Sequence, residues 1–124
     1  MRTTIAMNLR IEDIRYSQNS ISDCFGDGRS FESLCRDLLS GRVTVNSLPR
    51  ISVIHHDGNW MAIDGNRRLF VLKRLHDNGR LGRDTIPVQM GYLGKHITAT
   101  DGLSVEIRGN PSIEFELDAI IFGL

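Results

Sequence analysis

A chain of 124 residues with 40% apolar content is long enough to bury one modest core and too short for two. Fifteen basic residues balance fifteen acidic ones, so no global field draws the chain towards DNA, RNA or an anionic membrane. No apolar run approaches membrane-spanning length, which argues against a membrane partner.

Taken in chain order, residues 1–15 alternate loosely at Ile5, Met7, Leu9 and Ile11, which predicts a strand, broken near Asn8. Residues 16–29 are crowded with turn formers and read as a long polar loop, a feature more often functional than a plain connector. Within it Ser17, Gln18, Asn19 and Ser20 offer neutral donors and acceptors to a nucleotide or phosphate chain. Ser30 is a suitable cap for a helix over Phe31–Ser40 that puts Phe31, Leu34, Cys35, Leu38 and Leu39 on one face, with Gly41 as its stop.

Residues 51–56 and 59–63 read as two strands of a hairpin joined at Asp57-Gly58, a favoured two-residue turn. From 66 to 78 the spacing turns helical, with Leu69, Leu72 and Leu75 in a stripe beside Phe70 and Gly79 as the stop. Residues 85–93 form the next strand, with Pro87 near its beginning. Residues 103–108, the Gly109-Asn110-Pro111 turn and residues 112–117 suggest a second hairpin, followed by an apolar end at Ile120, Ile121 and Phe122, and the C-terminus from Ile120 to Leu124 would pack on a partner or a second copy. The sum is a single small α+β domain: a mixed sheet with two or three helices.

Cys24 and Cys35 lack metal-ligand spacing and follow no secretory leader, so they read as reduced thiols of an intracellular protein, cytoplasmic or nuclear, although a disulfide between them stays open. His55, His56, His76 and His96 show no metal-binding spacing either, and no metal ligand set is assigned. Trp60 and Tyr92 lie within strand patterns and read as core.

The stretch with most chemistry is Asp64-Gly65-Asn66-Arg67-Arg68, where a strand, a glycine turn and a helix start meet. A helix start already carries about half a positive charge and normally attracts acidic side chains. Two arginines there call for an anion, and exposed backbone N–H groups beside planar guanidinium donors suit phosphate or carboxylate. The alternative is that both arginines lie along the surface, paired weakly with nearby acids. Asp64 either caps the helix or pairs with an arginine, or else holds a metal or orients a substrate hydroxyl as the candidate catalytic residue. Glu12, Asp13 and Asp27 are more remote acids. Charge is uneven along the chain: residues 64–83 hold six basic and two acidic side chains, and residues 101–124 one basic and five acidic.

The order Pro49-Arg50-Ile51-Ser52-Val53, hairpin, Gly65-Asn66-Arg67-Arg68, helix, then Thr85-Ile86-Pro87-Val88 resembles the ParB/sulfiredoxin superfamily over roughly residues 14–92. ParB-like proteins carry a Gly-Glu-Arg-Arg type of turn and sulfiredoxins Gly-Cys-His-Arg. The resemblance implies a nucleotide held by its phosphates at Gly65, Asn66, Arg67 and Arg68. It also implies ATP or CTP with magnesium, and phosphoryl transfer or nucleotide hydrolysis as the reaction class. Asn66 stands where sulfiredoxins have their cysteine, and an amide is no thiolate nucleophile, so sulfinic acid reduction is not expected. It also replaces the ParB glutamate, and the chain carries no downstream helix-turn-helix. A second expectation is a non-catalytic module that binds nucleic acid through Lys73, Arg74, Arg80 and Arg83, or a protein partner.

Overall fold

A computed structural model of the chain describes residues 5–18, 20–22, 25, 29–91, 102–109 and 112–123. The elements in order are strands β1 (Ala6–Arg10), β2 (Ile14–Tyr16) and β3 (Ser20–Ser22), helix α1 (Phe31–Ser40), strands β4 (Ile51–His56) and β5 (Asn59–Asp64), helix α2 (Asn66–Asp77), strands β6 (Thr85–Met90) and β7 (Glu106–Arg108), and helix α3 (Ile113–Phe122). This is a small α+β fold. A mixed five-stranded sheet runs in the order β1-β6-β4-β5-β2, and β3 and β7 make a separate two-stranded sheet.

The β4–β5 hairpin is the centre of the large sheet. Asp57 and Gly58 take φ of 51° and 80°, the left-handed pair that a tight hairpin turn needs. Strand β2 joins the outer side of β5 in parallel, and β6 joins β4 in parallel with β1 antiparallel beyond it. Pro87 faces Asn8 on β1 and falls just short of the ladder to β4, which begins at Ile51 opposite Val88. A proline there removes no hydrogen bond from that ladder. Strand β1 runs through Asn8 unbroken, and the interruption falls instead at a 3-10 turn, Ile11–Asp13.

One face of the sheet carries Ile14, Tyr16, Ile51, Val53, Ala62, Ile86 and Val88 into a core closed by the helices. The opposite face has a smaller cluster of Ile54, Met61 and Ile63. Helix α1 starts where Ser30 Oγ accepts the Ser33 N–H at 3.1 Å, and ends at Gly41 in the left-handed region. Phe31, wholly buried, stacks at 5.5 Å against Phe70 of α2, so the two helices share one apolar seam. Trp60 is only half-buried at the margin of this core and meets His55 edge-on at 5.0 Å. Tyr92, His96, Cys24 and Asp27 lie outside the described residues. Cys35 is a buried free thiol.

The second hairpin is corrected. Residues 113–122 form helix α3, and β7 pairs in parallel with β3, Ile21 opposite Ile107. The alternation of Ile113, Phe115 and Leu117 mimics a strand. The spacing that packing uses is Ile113, Leu117 and Ile121, all buried at four-residue intervals against the core and α1. Glu114 and Glu116 in the first turn suit the positive end of the helix dipole. The polar loop of residues 16–29 is likewise interrupted, by β3.

Candidate anion-binding site

The β5–α2 junction is shaped before any ligand is considered. The pairing register shifts between Ser52 opposite Asp64 and Val53 opposite Ala62, so Ile63 is an extra residue that bends the end of β5. Gly65 follows with φ 94° and ψ 21°. A Cβ there would lie 2.8 Å from Arg68 Nη2 and 3.0 Å from Ile51 Cγ1, so both conformation and space demand glycine. The Leu69 N–H donates to the Gly65 carbonyl at 2.9 Å, which starts the helix ladder and leaves the N–H groups of residues 66–68 outside it. The N-cap position is Gly65, which has no side chain to cap the helix.

Asn66 is buried and holds the junction to the preceding strand. Its Oδ1 accepts the Ser17 N–H at 3.1 Å and its Nδ2 donates to Ser17 Oγ at 3.1 Å. A backbone N–H only donates, so the amide orientation is settled by the contact itself. Ser17, only 1% exposed, therefore stands behind the site as an anchor, and Asn66 spends its side chain on positioning. That differs from the expectation that both amide and hydroxyl meet the phosphate. The anchored segment delivers Gln18 and Ser20 to the cleft wall, while Asn19 lies outside the described residues.

The cleft has a volume of about 310 Å³ and is lined by Gln18, Ser20, Asp64, Gly65, Asn66, Arg67 and Arg68, together with Ile21, Phe25, Ile63 and Arg108. Among the described residues three arginines, Arg67, Arg68 and Arg108, line it with one aspartate, Asp64. Arg67 Nε donates to Ser22 Oγ at 3.0 Å, which fixes the root of its guanidinium. Arg68 has one long hydrogen bond, Nη2 to the Arg50 carbonyl at 3.4 Å, and its Nε is buried without a partner. Burial lowers the Arg68 pKa, and the charge of Asp64 offsets this only in part. Among the described residues no carboxylate lies within ion-pair distance of Arg67 or Arg68.

Both arginines also line a second cleft of about 280 Å³ on the far side, walled by Phe25, Leu34, Val43, Leu48 and Pro49 with Arg29 and Asp37. The two guanidiniums are thus the partition between a polar cleft and a more apolar one. Arg108, Arg29, Phe25 and Ser22 were not legible as site residues. Arg108 reaches the cleft only because β7 pairs with β3, Ser22 opposite Arg108, across 86 positions of chain.

The four cations expected to meet nucleic acid are held internally. Arg74 forms a bidentate pair with Asp118 at 2.8 and 3.0 Å, Arg80 Nη1 donates to the Ile121 carbonyl, Arg83 donates to the Thr85 carbonyl and Asn46, and Lys73 Nζ donates to the Ile11 carbonyl at 3.2 Å. Burial pushes the Cys35 thiol up to about 11, so it is protonated and unreactive near neutral pH. Among the described residues no three His, Cys, Asp or Glu side chains converge on a metal position. Among the described residues no helix is long and apolar enough to cross a membrane. Comparison with protein-family models, curated proteins and solved structures returns no significant match to this chain.

Proposed function

We propose that this domain binds a nucleotide through its phosphates at the Gly65 turn, in the manner of the ParB/sulfiredoxin-like proteins its motif order resembles. The observation that carries the reading is Arg68: a half-buried cation with an unpartnered Nε, whose burial the more distant Asp64 charge offsets only in part. Burying an incompletely compensated charge is costly, and an anion seated between Arg67 and Arg68 relieves that cost. The phosphates occupy the polar cleft, where backbone N–H groups at the start of α2 and the guanidiniums of Arg67, Arg68 and Arg108 converge. The base turns over the partition towards Phe25, Leu48 and Pro49.

Magnesium fits here only together with the phosphates. Asp64 is exposed and, among the described residues, is the one acid lining the polar cleft, with Gln18 and Ser20 as neutral oxygen donors. Such a set does not hold the ion by itself, whereas one carboxylate plus phosphate oxygens is an ordinary magnesium site. When bound, the ion would neutralise phosphate charge. The chain's own contribution is to fix the phosphates and to place the Asp64 carboxylate beside them, which suits phosphoryl transfer or hydrolysis as the reaction class.

The test is isothermal calorimetry of ATP, CTP, GTP and short DNA, each with and without magnesium, on the wild type and Arg68→Ala. Nucleotide binding that Arg68→Ala weakens about 10- to 100-fold is the expected result, the loss of one charge-assisted contact. Absence of heat with every nucleotide, or equal affinity of the variant, refutes the reading.

A further inference from the structure

Away from the Gly65 cleft, helix α3 carries a second apolar stripe. Ile113, Leu117 and Ile121 face the core, but Phe115 is 75% and Phe122 56% exposed, with Ala119 between them on the same side. Phe115, Ala119 and Ile120 form one wall of an open groove of about 860 Å³, whose other wall is Leu39 and Arg36 of α1. Two exposed aromatic rings seven residues apart, about 10 Å along the axis, are unusual on a helix that already buries its other face.

We propose that this groove is a two-fold interface with a second copy of this chain. The stripe is complementary to itself. When two α3 helices run antiparallel and cross beside Ala119, Phe115 of one copy lies level with Phe122 of the other, because both stand nearly the same distance from the crossing point. The small alanine lets the helices approach to about 8–10 Å, and each ring enters the groove beside the other's α1.

Charge points to the same occupant. The groove holds two acidic side chains, Glu32 and Glu116, and two guanidiniums, Arg36 and Arg80. Arg36 makes no ion pair among the described residues, and it stands one turn beyond Glu32 on α1. A partner of one sign would leave half of these charges facing their like. A two-fold copy can set each Arg36 over the other's acid pair. The two rings hide roughly 200–330 Å² per copy, against roughly 800 Å² per partner in a standard interface, so Leu39, Ile120 and the charged rim must supply the rest. The dimer is accordingly concentration-dependent.

Sedimentation velocity of the full chain from about 5 to about 500 µM should show a reversible monomer–dimer equilibrium. Phe115→Ser and Phe122→Ser are surface changes, verified by an unaltered melting curve. Each should weaken the dimer at least about 100-fold, since symmetry loses every contact twice. Arg36→Glu and Glu32→Arg should each weaken self-association, and an equimolar mixture of the two should restore it, because opposite charges then meet at both ends. A monomer at every concentration, a dimer indifferent to both phenylalanines, or a mixture that fails to recover overturns the proposal.

Discussion

Asn66 offers the sharpest separation between a residue that binds and a residue that positions. Asn66→Ala removes two hydrogen bonds, each of 3.1 Å, that join it to Ser17, a residue only 1% exposed. Stranding a buried donor costs about 1–3 kcal/mol, and the hydroxyl can turn to recover part of its loss, so a total of about 2–4 kcal/mol is expected. With an unfolding entropy of about 2.1 cal/mol/K per residue over 124 residues, that is a fall in melting temperature of about 8–15 °C. Asn66→Asp behaves differently. One carboxylate oxygen still accepts the Ser17 N–H and the other accepts from Ser17 Oγ, so stability falls by less than about 1 kcal/mol. The new negative charge, however, sits beside Arg67 and Arg68 and opposes an incoming anion. Scanning calorimetry and nucleotide titration on the two variants therefore diverge: the alanine variant melts early, and the aspartate variant melts late but binds weakly. An alanine variant as stable as the wild type, or an aspartate variant with undiminished affinity for nucleotide, would refute the positioning argument.

Gly65→Ala should cost about 1–3 kcal/mol in urea unfolding, because φ of 94° strains any L side chain and its Cβ meets Ile51 Cγ1 at 3.0 Å. Removing the bidentate partner of Asp118 by Arg74→Ala should destabilise by about 1–2 kcal/mol, and less in high salt because the pair is partly exposed. Cys35 should resist alkylation in the native protein near neutral pH and react once the chain is unfolded in denaturant. Its raised pKa also sets a pH dependence. The unfolded thiol ionises from about 9 and the folded one only from about 11, so the unfolded state binds fewer protons across that window. Stability must then decline as pH rises from about 9 to about 11, measurable as a falling urea midpoint that Cys35→Ala should lessen, the buried Tyr16 hydroxyl, raised above its ordinary 10.0, adding to the fall at the upper end.

The parts of this protein that were readable from residue order are those whose causes are local. Ser30 capping α1, Gly41 ending it, the Asp57-Gly58 turn and the left-handed Gly65 are set by hydrogen bonds and steric limits within four or five residues. The leucine stripe of α2 and the placement of Arg67 and Arg68 at its start follow from the same short-range geometry. The misreading of residues 112–117 shows the boundary of that method. Ile113, Phe115 and Leu117 satisfy a period of two as well as Ile113, Leu117 and Ile121 satisfy a helical one, and only burial against α1 distinguishes them.

Composition and local order alone thus determined a small α+β chain with a glycine-framed, arginine-bearing helix start. Tertiary structure decided what surrounds those arginines: Ser17 locked to Asn66 from 49 positions away, Ser22 bracing Arg67, Arg108 carried in by β7, and a second cleft behind the pair. It also decided which cations are spent internally and which face of α3 is left bare. The reason is that hydrogen bonds within a turn are written into neighbouring residues, whereas burial, charge compensation and cleft walls belong to surfaces that meet only when distant segments pack.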